Sequence, residues 1–374
     1  MAPTLRTLRT GLAGSVVRSL PNPFSVRPVS FLRPSDEPSV ALAQLTRWLE
    51  ADEPDPLLIS TSGSTGEPKG VVLSRDAVLT SVTASARRLG EVGQWVLTLP
   101  PSYVAGVQVI VRSLVAGYQP VVADGADLDC ALVTSAGDDV PRFVSLVPTQ
   151  LHRLVDDPVQ AAALARCHTV LLGGGPIDPA LRGRAEDLGI HVVATYGASE
   201  TAGGCVYDGL PLDGVGLTIA ADGRVRLAGP MLFSHYDGDP ELTRAALVDG
   251  WFLTSDAGRL DEDGRLQVLG RMDDVVISGG VKIAVPAVTA RLLEHPLVDQ
   301  VELIGVPDQE WGQRLVAVVV GTRTGTGTGM EEVLRDWVGE VQPRSWAPRQ
   351  FVWVDALPLL PNGKVDRVAL REVV

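Results

Sequence analysis

The chain has 374 residues, 45% of them hydrophobic and 21% charged, with a formal net charge of −13. That length predicts two domains rather than one core, and the acidic balance disfavours non-specific nucleic-acid binding. No stretch reaches the ~18–20 uninterrupted apolar residues of a membrane span. Three scattered cysteines (Cys130, Cys167, Cys205), without CxxC or Cys/His metal spacing, point to a reduced compartment.

Residues 1–34 carry arginines and no acid before Asp36. The composition resembles a transit peptide; the simpler expectation is a partly ordered bacterial N-terminus on a cytoplasmic protein. From about residue 57 strands and helices alternate. LLIST (57–61) reads as a strand ending in a Gly/Ser/Thr loop. Ser74 caps a helix through Arg88, stopped by Gly90. WVLTLP (95–100) reads as a strand and VAGVQVIVRSLVAG as a buried helix. VVA, FVSLVP, TVLLGG and HVVATYG read as further buried strands, with helices over 149–156 and 178–188. This alternation predicts an α/β fold with a mostly parallel, helix-covered sheet.

After about residue 205 the texture changes. Asp222-Gly223, Asp249-Gly250 and Asp263-Gly264 signal turns in a β-rich subdomain up to about Gly270. From Asp273 the pattern is two short strands, a helix near 285–294, strands near 299–306 and 314–320, a helix near 331–339 and a strand near 350–354. The expected division is a large N-terminal domain, 1–272, and a small mobile α+β domain, 273–374. The Thr/Gly run 324–329 reads as a mobile surface loop.

Of the 32 basic residues only three are lysines, and each lies in a glycine-bearing motif. Lys69 is in TSGSTGEPKG (61–70), Lys282 in SGGVKI (278–283) and Lys364 in PNGKVDR (361–367). A GC-rich genome favours arginine codons, but that bias does not explain where lysines survive. Lysine is a compact, mobile point charge with three donors, so three anion-handling loops are expected. In the first, Thr61, Ser62, Ser64 and Thr65 offer hydroxyls, while Gly63 and Gly66 let backbone amides approach phosphate oxygens. The spacing is not that of a Walker loop.

STGEPKG closely resembles the signature of the adenylate-forming superfamily, which comprises acyl- and aryl-CoA ligases, peptide-synthetase adenylation domains and luciferases. TYGASET (195–201), GWFLTSDAGRLDEDGRLQVLGRMDD (250–274) and PNGKVDR resemble, in order, further motifs of that family. The resemblance implies a two-step reaction. A carboxylate attacks the α-phosphate of ATP, giving an acyl-adenylate and diphosphate; a thiol, usually of CoA, then displaces AMP.

By this resemblance Glu200 ligates Mg²⁺ on the phosphates, and Thr65, Lys69 and Thr201 serve the phosphates. Asp256 accepts from both ribose hydroxyls with Arg271 assisting, and Ser255 stands where the family usually has glycine. Tyr196, Gly197 and Gly174 belong to the nucleotide site, the GGGP segment (173–176) being either the adenine- and acyl-facing loop or a simple tight turn. Lys364 bridges the attacking carboxylate and the α-phosphate. Asp273 is the hinge about which the small domain swings. Gly279 and Gly280 leave room for the CoA pantetheine arm, and Lys282 either pairs with a CoA phosphate or is structural.

Residues 195–215 further resemble the o-succinylbenzoate–CoA ligases of menaquinone biosynthesis, in particular their compact actinobacterial kind. LPPSYVAG (99–106) fits this, with Tyr103 where many relatives carry histidine or another aromatic residue. The implied acyl pocket draws on Tyr103, Val104, Gly106, Gly173 to Gly175, and Ala202, Gly203 and Gly204. Tyr103 is equally readable as a core aromatic. The implied ligands are a small carboxylic acid, ATP, Mg²⁺ and CoA, and a homodimer is compatible with them. Rival readings are another acyl- or aryl-CoA ligase, a stand-alone carrier-loading enzyme, or a non-catalytic nucleotide-binding homologue.

Overall fold

The computed structural model describes residues 30–61, 69–123, 127–133, 137, 139–272, 275–322, 329–360 and 365–374. The expectations for residues 1–29, Ser62, Gly63, Ser64, Thr65, Gly66, Asp273, Lys364 and most of the Thr/Gly run (324–328) lie outside them.

Helix α1 (Pro38–Glu50) is capped by the Glu37 carboxylate, which accepts from the Ser39 and Val40 amides. Strand β1 (Leu57–Thr61) is where the sequence places it, but its partner differs. It pairs antiparallel with β2 (Lys69–Leu73), Thr61 facing Lys69, in a small sheet completed by His235–Tyr236. Seven residues (62–68) are too few for a parallel crossover, which needs a dozen or more. The lysine motif therefore joins two strands, not a strand and a helix, and β1 does not lead the parallel sheet.

Helix α2 (Arg75–Leu89) begins at Ser74, whose hydroxyl accepts from Ala77 N, and ends at Gly90 with φ 80°. Then β3 (Gln94–Leu97), α3 (Val104–Val115), β4 (Val121–Val122), α4 (Leu128–Val133), β5 (Arg142–Leu146), α5 (Pro148–Asp156), α6 (Pro158–Ala165), β6 (Thr169–Gly173), α7 (Pro179–Asp187) and β7 (Val192–Ala198) follow. The strands lie in the order β4-β3-β5-β6-β7, all parallel. Strands β8 (Gly203–Tyr207) and β9 (Leu210–Pro211) extend the sheet antiparallel.

Both faces of this sheet are buried, with side chains alternating along each strand. Phe143, Leu171 and Val193 pack with α1, α2 and α3, whereas Val144, Val170, Leu172 and Val192 pack with α5, α6 and α7. Trp95 stacks on Phe143 at 4.9 Å between ring centroids, a contact worth about 0.5–1.5 kcal/mol beyond its buried area.

The expected β-rich region is present. Strands β10 (Gly216–Ile219) and β11 (Arg224–Ala228) belong to it, whereas β12 (His235–Tyr236) leaves to join β2. Helix α8 (Pro240–Ala246), absent from the sequence reading, precedes β13 (Leu247–Val248), β14 (Trp251–Leu260) and β15 (Leu266–Arg271), which complete the antiparallel sheet. Asp249 (φ 52°) and Gly250 (φ 79°) form the tight turn between β13 and β14, as a two-residue hairpin with positive φ at both centres requires.

The last sheet has the order β17-β16-β19-β18, from β16 (Val275–Ser278), β17 (Val281–Ala284), β18 (Gln300–Asp308) and β19 (Gly312–Val320). Strand β20 (Gln350–Trp353) adds parallel to β19. Helices α9 (Val285–Leu293) and α10 (Gly329–Gly339) pack on this sheet through Val288, Leu292, Leu334 and Val338, and α11 (Arg367–Glu372) through Leu370. Among the described residues, no hydrophobic cluster mixes side chains before Gly270 with side chains after Val275. No described helix is long and apolar enough to cross a membrane.

Candidate active site

A cavity of about 1710 Å³ opens at the C-terminal ends of β5, β6 and β7, where open α/β sheets bind ligands. Its wall gathers motifs that lie far apart in sequence. Thr61 and Lys69 come from the small sheet, Tyr103 and Val104 from the start of α3, and Gly173, Gly174 and Gly175 from the loop after β6. Tyr196, Gly197, Glu200, Gly203 and Gly204 come from β7, β8 and the turn between them, and Asp256 and Arg271 from β14 and β15.

Asp256 and Arg271 face each other directly across the β14–β15 ladder. The Tyr196 phenol donates to Asp256 Oδ2 at 2.7 Å. Burial, and then the adjoining carboxylate, pushes that phenol above its ordinary range, so it remains a donor. One Asp256 oxygen is thereby oriented. A second pair repeats the arrangement: Tyr236 donates to Glu200 Oε1 at 2.8 Å. Its phenol is likewise pushed up, by burial first and Glu200 second.

The glycines of the wall have separate causes. Gly174 has φ 81°, which only glycine adopts readily. A Cβ on Gly173 would lie 2.3 Å from Thr195 Oγ1, and one on Gly197 would lie 2.2 Å from the Gly203 carbonyl oxygen. The GGGP loop thus forms part of the cavity wall as well as a turn. Half-buried Tyr103 also faces the cavity, not the core.

Other expected residues lie elsewhere. Thr201 is fully buried and absent from the wall. Its hydroxyl accepts from Ala198 N at 2.8 Å and lies 2.7 Å from the Gly203 carbonyl oxygen, to which it can donate, so it braces the Glu200 turn. Ala202 is also buried, with φ 51° and its carbonyl oxygen accepting from Gln108 Nε2. Gly106 packs α3 against Pro100, whose carbonyl oxygen would sit 2.2 Å from a Cβ. Gly279 (φ 57°) and Gly280 (φ 80°) form the β16–β17 turn, and a Cβ on Gly279 would meet the Trp311 ring at 2.6 Å. These two glycines and exposed Lys282 do not line the cavity. From the same end of the chain, residues of α9, Glu302 and Arg367 do.

Sequence reasoning missed Gln108 and Arg112. With Val104 they recur every four residues along α3, the signal of one helix face, and all three line the cavity. Arg112 is 7% exposed and Gln108 2%. The Arg112 guanidinium lies over the Trp95 ring at 4.9 Å and donates to the Tyr207 hydroxyl at 3.1 Å. That hydroxyl also bonds Ser85 Oγ at 2.8 Å. Among the described residues, buried Arg112 Nε and Gln108 Oε1 have no hydrogen-bond partners, and Arg112 has no carboxylate partner.

A dedicated metal cage is absent: no group of three or more His, Cys, Asp or Glu side chains converges among the described residues. The single Glu200 carboxylate suits Mg²⁺, which commonly binds through one or two carboxylates plus substrate phosphates and retained waters.

Comparison with known proteins agrees with this assembly. The AMP-binding enzyme family profile matches residues 26–231, and that of the AMP-binding enzyme C-terminal domain matches 288–364. A probable 2-succinylbenzoate–CoA ligase of Mycobacterium tuberculosis is 40% identical over 336 residues, covering 86% of this chain and 85% of the relative. The solved o-succinylbenzoate CoA synthetase of Bacillus subtilis, in complex with the acyl-adenylate intermediate OSB-AMP, is 28% identical with a TM-score of 0.72, covering 84% of this chain and 68% of the other. The same synthetase in complex with ATP and a magnesium ion is 27% identical with a TM-score of 0.71, covering 84% and 69%. With two family profiles matched in order and the motif residues gathered around one cavity, the chain belongs to the AMP-binding enzyme family.

Proposed function

We propose that this protein is an AMP-forming 2-succinylbenzoate–CoA ligase, converting 2-succinylbenzoate, ATP and CoA into 2-succinylbenzoyl-CoA, AMP and diphosphate for menaquinone biosynthesis. The observation that carries the substrate reading is Arg112. A buried arginine without a counter-charge among the described residues is costly and invites an anion. It lies eight residues along α3 from Val104, about 12 Å at 1.5 Å per residue. 2-Succinylbenzoate has two carboxylates, one to react and one to be held. Arg112 would receive the ring carboxylate while the succinyl carboxylate faces the nucleotide.

The first step joins a succinyl carboxylate oxygen to the α-phosphorus of ATP and expels diphosphate. In the second, the CoA sulfur bonds the acyl carbon, loses its proton and expels AMP. Asp256, oriented by Tyr196, reads the ribose diol. Glu200 and Lys69 serve the phosphates, with Ser62, Gly63, Ser64, Thr65 and Gly66 of the same sequence motif as Lys69. Mg²⁺, held at Glu200, supplies charge neutralisation when bound. Lys364 stabilises the charge shared between the attacking carboxylate and the α-phosphate.

Residues 1–272 and 273–374 act as two domains, each with its own cores, and Asp273 is the hinge. Rotation about it would withdraw Lys364 and bring the Gly279-Gly280 turn and Lys282 to the site for thioester formation, so that one cavity hosts two chemistries. We place the enzyme in the cytoplasm.

The reading is tested by ATP–diphosphate exchange over a panel of acids. Exchange that depends on 2-succinylbenzoate supports it; exchange with benzoate or fatty acids alone points to another acyl- or aryl-CoA ligase.

A further inference from the structure

Strand β12 is only two residues long, yet its segment joins two parts of the nucleotide site. Ser234 N and Asp237 N donate to the Val72 and Gly70 carbonyl oxygens, both at 2.8 Å, fastening the segment along β2. Phe233 N donates to the Glu200 carbonyl oxygen, also at 2.8 Å. Tyr236 lies between these attachments, 5% exposed, its ring 4.7 Å from that of Phe233. The hydroxyl at its edge holds Glu200 Oε1, and its face lies under Lys69 Nζ at 5.7 Å. Among the described residues the Glu200 carboxylate has no other hydrogen-bonding side chain and no ion pair, and Lys69 has no carboxylate partner.

We propose that Tyr236 is a positioning residue for metal·ATP: its hydroxyl fixes one Glu200 oxygen so that the other is presented to the divalent cation. The proposal rests on the reading of Glu200 as the metal ligand. A glutamate side chain has three rotatable bonds, and ordering it when the cation arrives opposes binding. A tether made beforehand removes part of that ordering, as partners behind a ligating residue do at metal sites, where their loss typically weakens metal binding about 10- to 100-fold. A neutral phenol orients the carboxylate without cancelling its charge; an arginine in the same place would cancel it.

The test is Mn²⁺ binding in the presence of ATP, followed by electron paramagnetic resonance with no acid or CoA present. Four proteins are compared: the parent, Tyr236→Phe, Glu200→Gln and the double variant. Phenylalanine keeps the ring under Lys69 and removes only the hydroxyl. The expected result is about ten-fold weaker Mn²⁺ binding in Tyr236→Phe, unchanged ATP binding in EDTA, and less than about a two-fold further effect in the Glu200→Gln background. Unchanged Mn²⁺ binding in Tyr236→Phe, with Glu200→Gln weakened, overturns the positioning role alone. An equal loss from Tyr236→Phe in both backgrounds shows action by another route and overturns it too. Unchanged binding in Glu200→Gln removes the metal-ligand reading and the inference with it.

Discussion

On the proposed reading, replacing Arg112 by methionine should separate recognition of the second carboxylate from the other contributions to catalysis. The cation is 7% exposed, its Nε has no partner among the described residues, and it faces the cavity. Truncating one side of a buried, charged hydrogen-bonded pair costs about 2–4 kcal/mol, or about 30- to 1,000-fold in affinity. The free protein should scarcely respond. It loses the contact over Trp95, worth about 1 kcal/mol, but is relieved of an uncompensated buried charge, while Tyr207 keeps Ser85 as a partner. Its Tm is therefore expected to move by less than about 4 °C. The assay is ATP–diphosphate exchange with two acids, 2-succinylbenzoate and 4-oxo-4-phenylbutanoate, which lacks only the ring carboxylate. The variant should raise KM for the first by the stated factor and leave the second within about two-fold. Equal losses on both acids, or no loss on either, would refute the assignment.

Further outcomes follow from the same geometry. Lys364→Ala should slow adenylation by on the order of 10²–10³ while ATP binding, measured by calorimetry, is retained; undiminished exchange contradicts its role. Gly197→Ala sets a methyl group 2.2 Å from the Gly203 carbonyl oxygen, so β7 and β8 must part. Both Tm and ATP affinity should fall, and unchanged values would show that the strands yield freely. Burial pushes the Cys167 and Cys205 thiols up to about 12. Above about pH 8.5 the unfolded chain releases these protons and the folded one does not. Stability present below that pH is therefore lost as pH rises towards 12, by about 1.4 kcal/mol per pH unit for each thiol. Urea unfolding at pH 8 and pH 10 should show a smaller drop for a Cys167→Ala, Cys205→Ala variant, and identical drops would rule the thiols out.

The sequence disclosed much of the fold because its signals are local. Ser74 and Gly90 bound α2 through their own side-chain and backbone chemistry, and the buried strands of the parallel sheet read as continuous apolar runs. The order of the elements from β16 to β20 was legible for the same reason, each being flanked by glycine, proline or aspartate, whereas helix α11, capped by Asp366, went unread. Pairings between distant segments were not legible. The registration of β12 on β2 joins residues more than 160 positions apart, and a two-residue strand has no period to detect. Motif residues such as Glu200 and Asp256 stood out, whereas the phenols holding them, Tyr236 and in part Tyr196, are ordinary aromatics until the fold brings them to a carboxylate. Thr201 shows the converse: motif membership suggested contact with phosphate, but its hydroxyl is committed to the turn beneath Glu200. Arg112 was hidden by its surroundings, since an arginine in an apolar helix face resembles a simple interruption of the pattern.

The most direct measurement incubates the purified protein with 2-succinylbenzoate, ATP, Mg²⁺ and CoA and follows all products by mass spectrometry. One 2-succinylbenzoyl-CoA should appear for each AMP and each diphosphate, with acyl-adenylate accumulating when CoA is withheld. Release of ADP and phosphate, or failure to form thioester from an acid that is adenylated, would contradict the account.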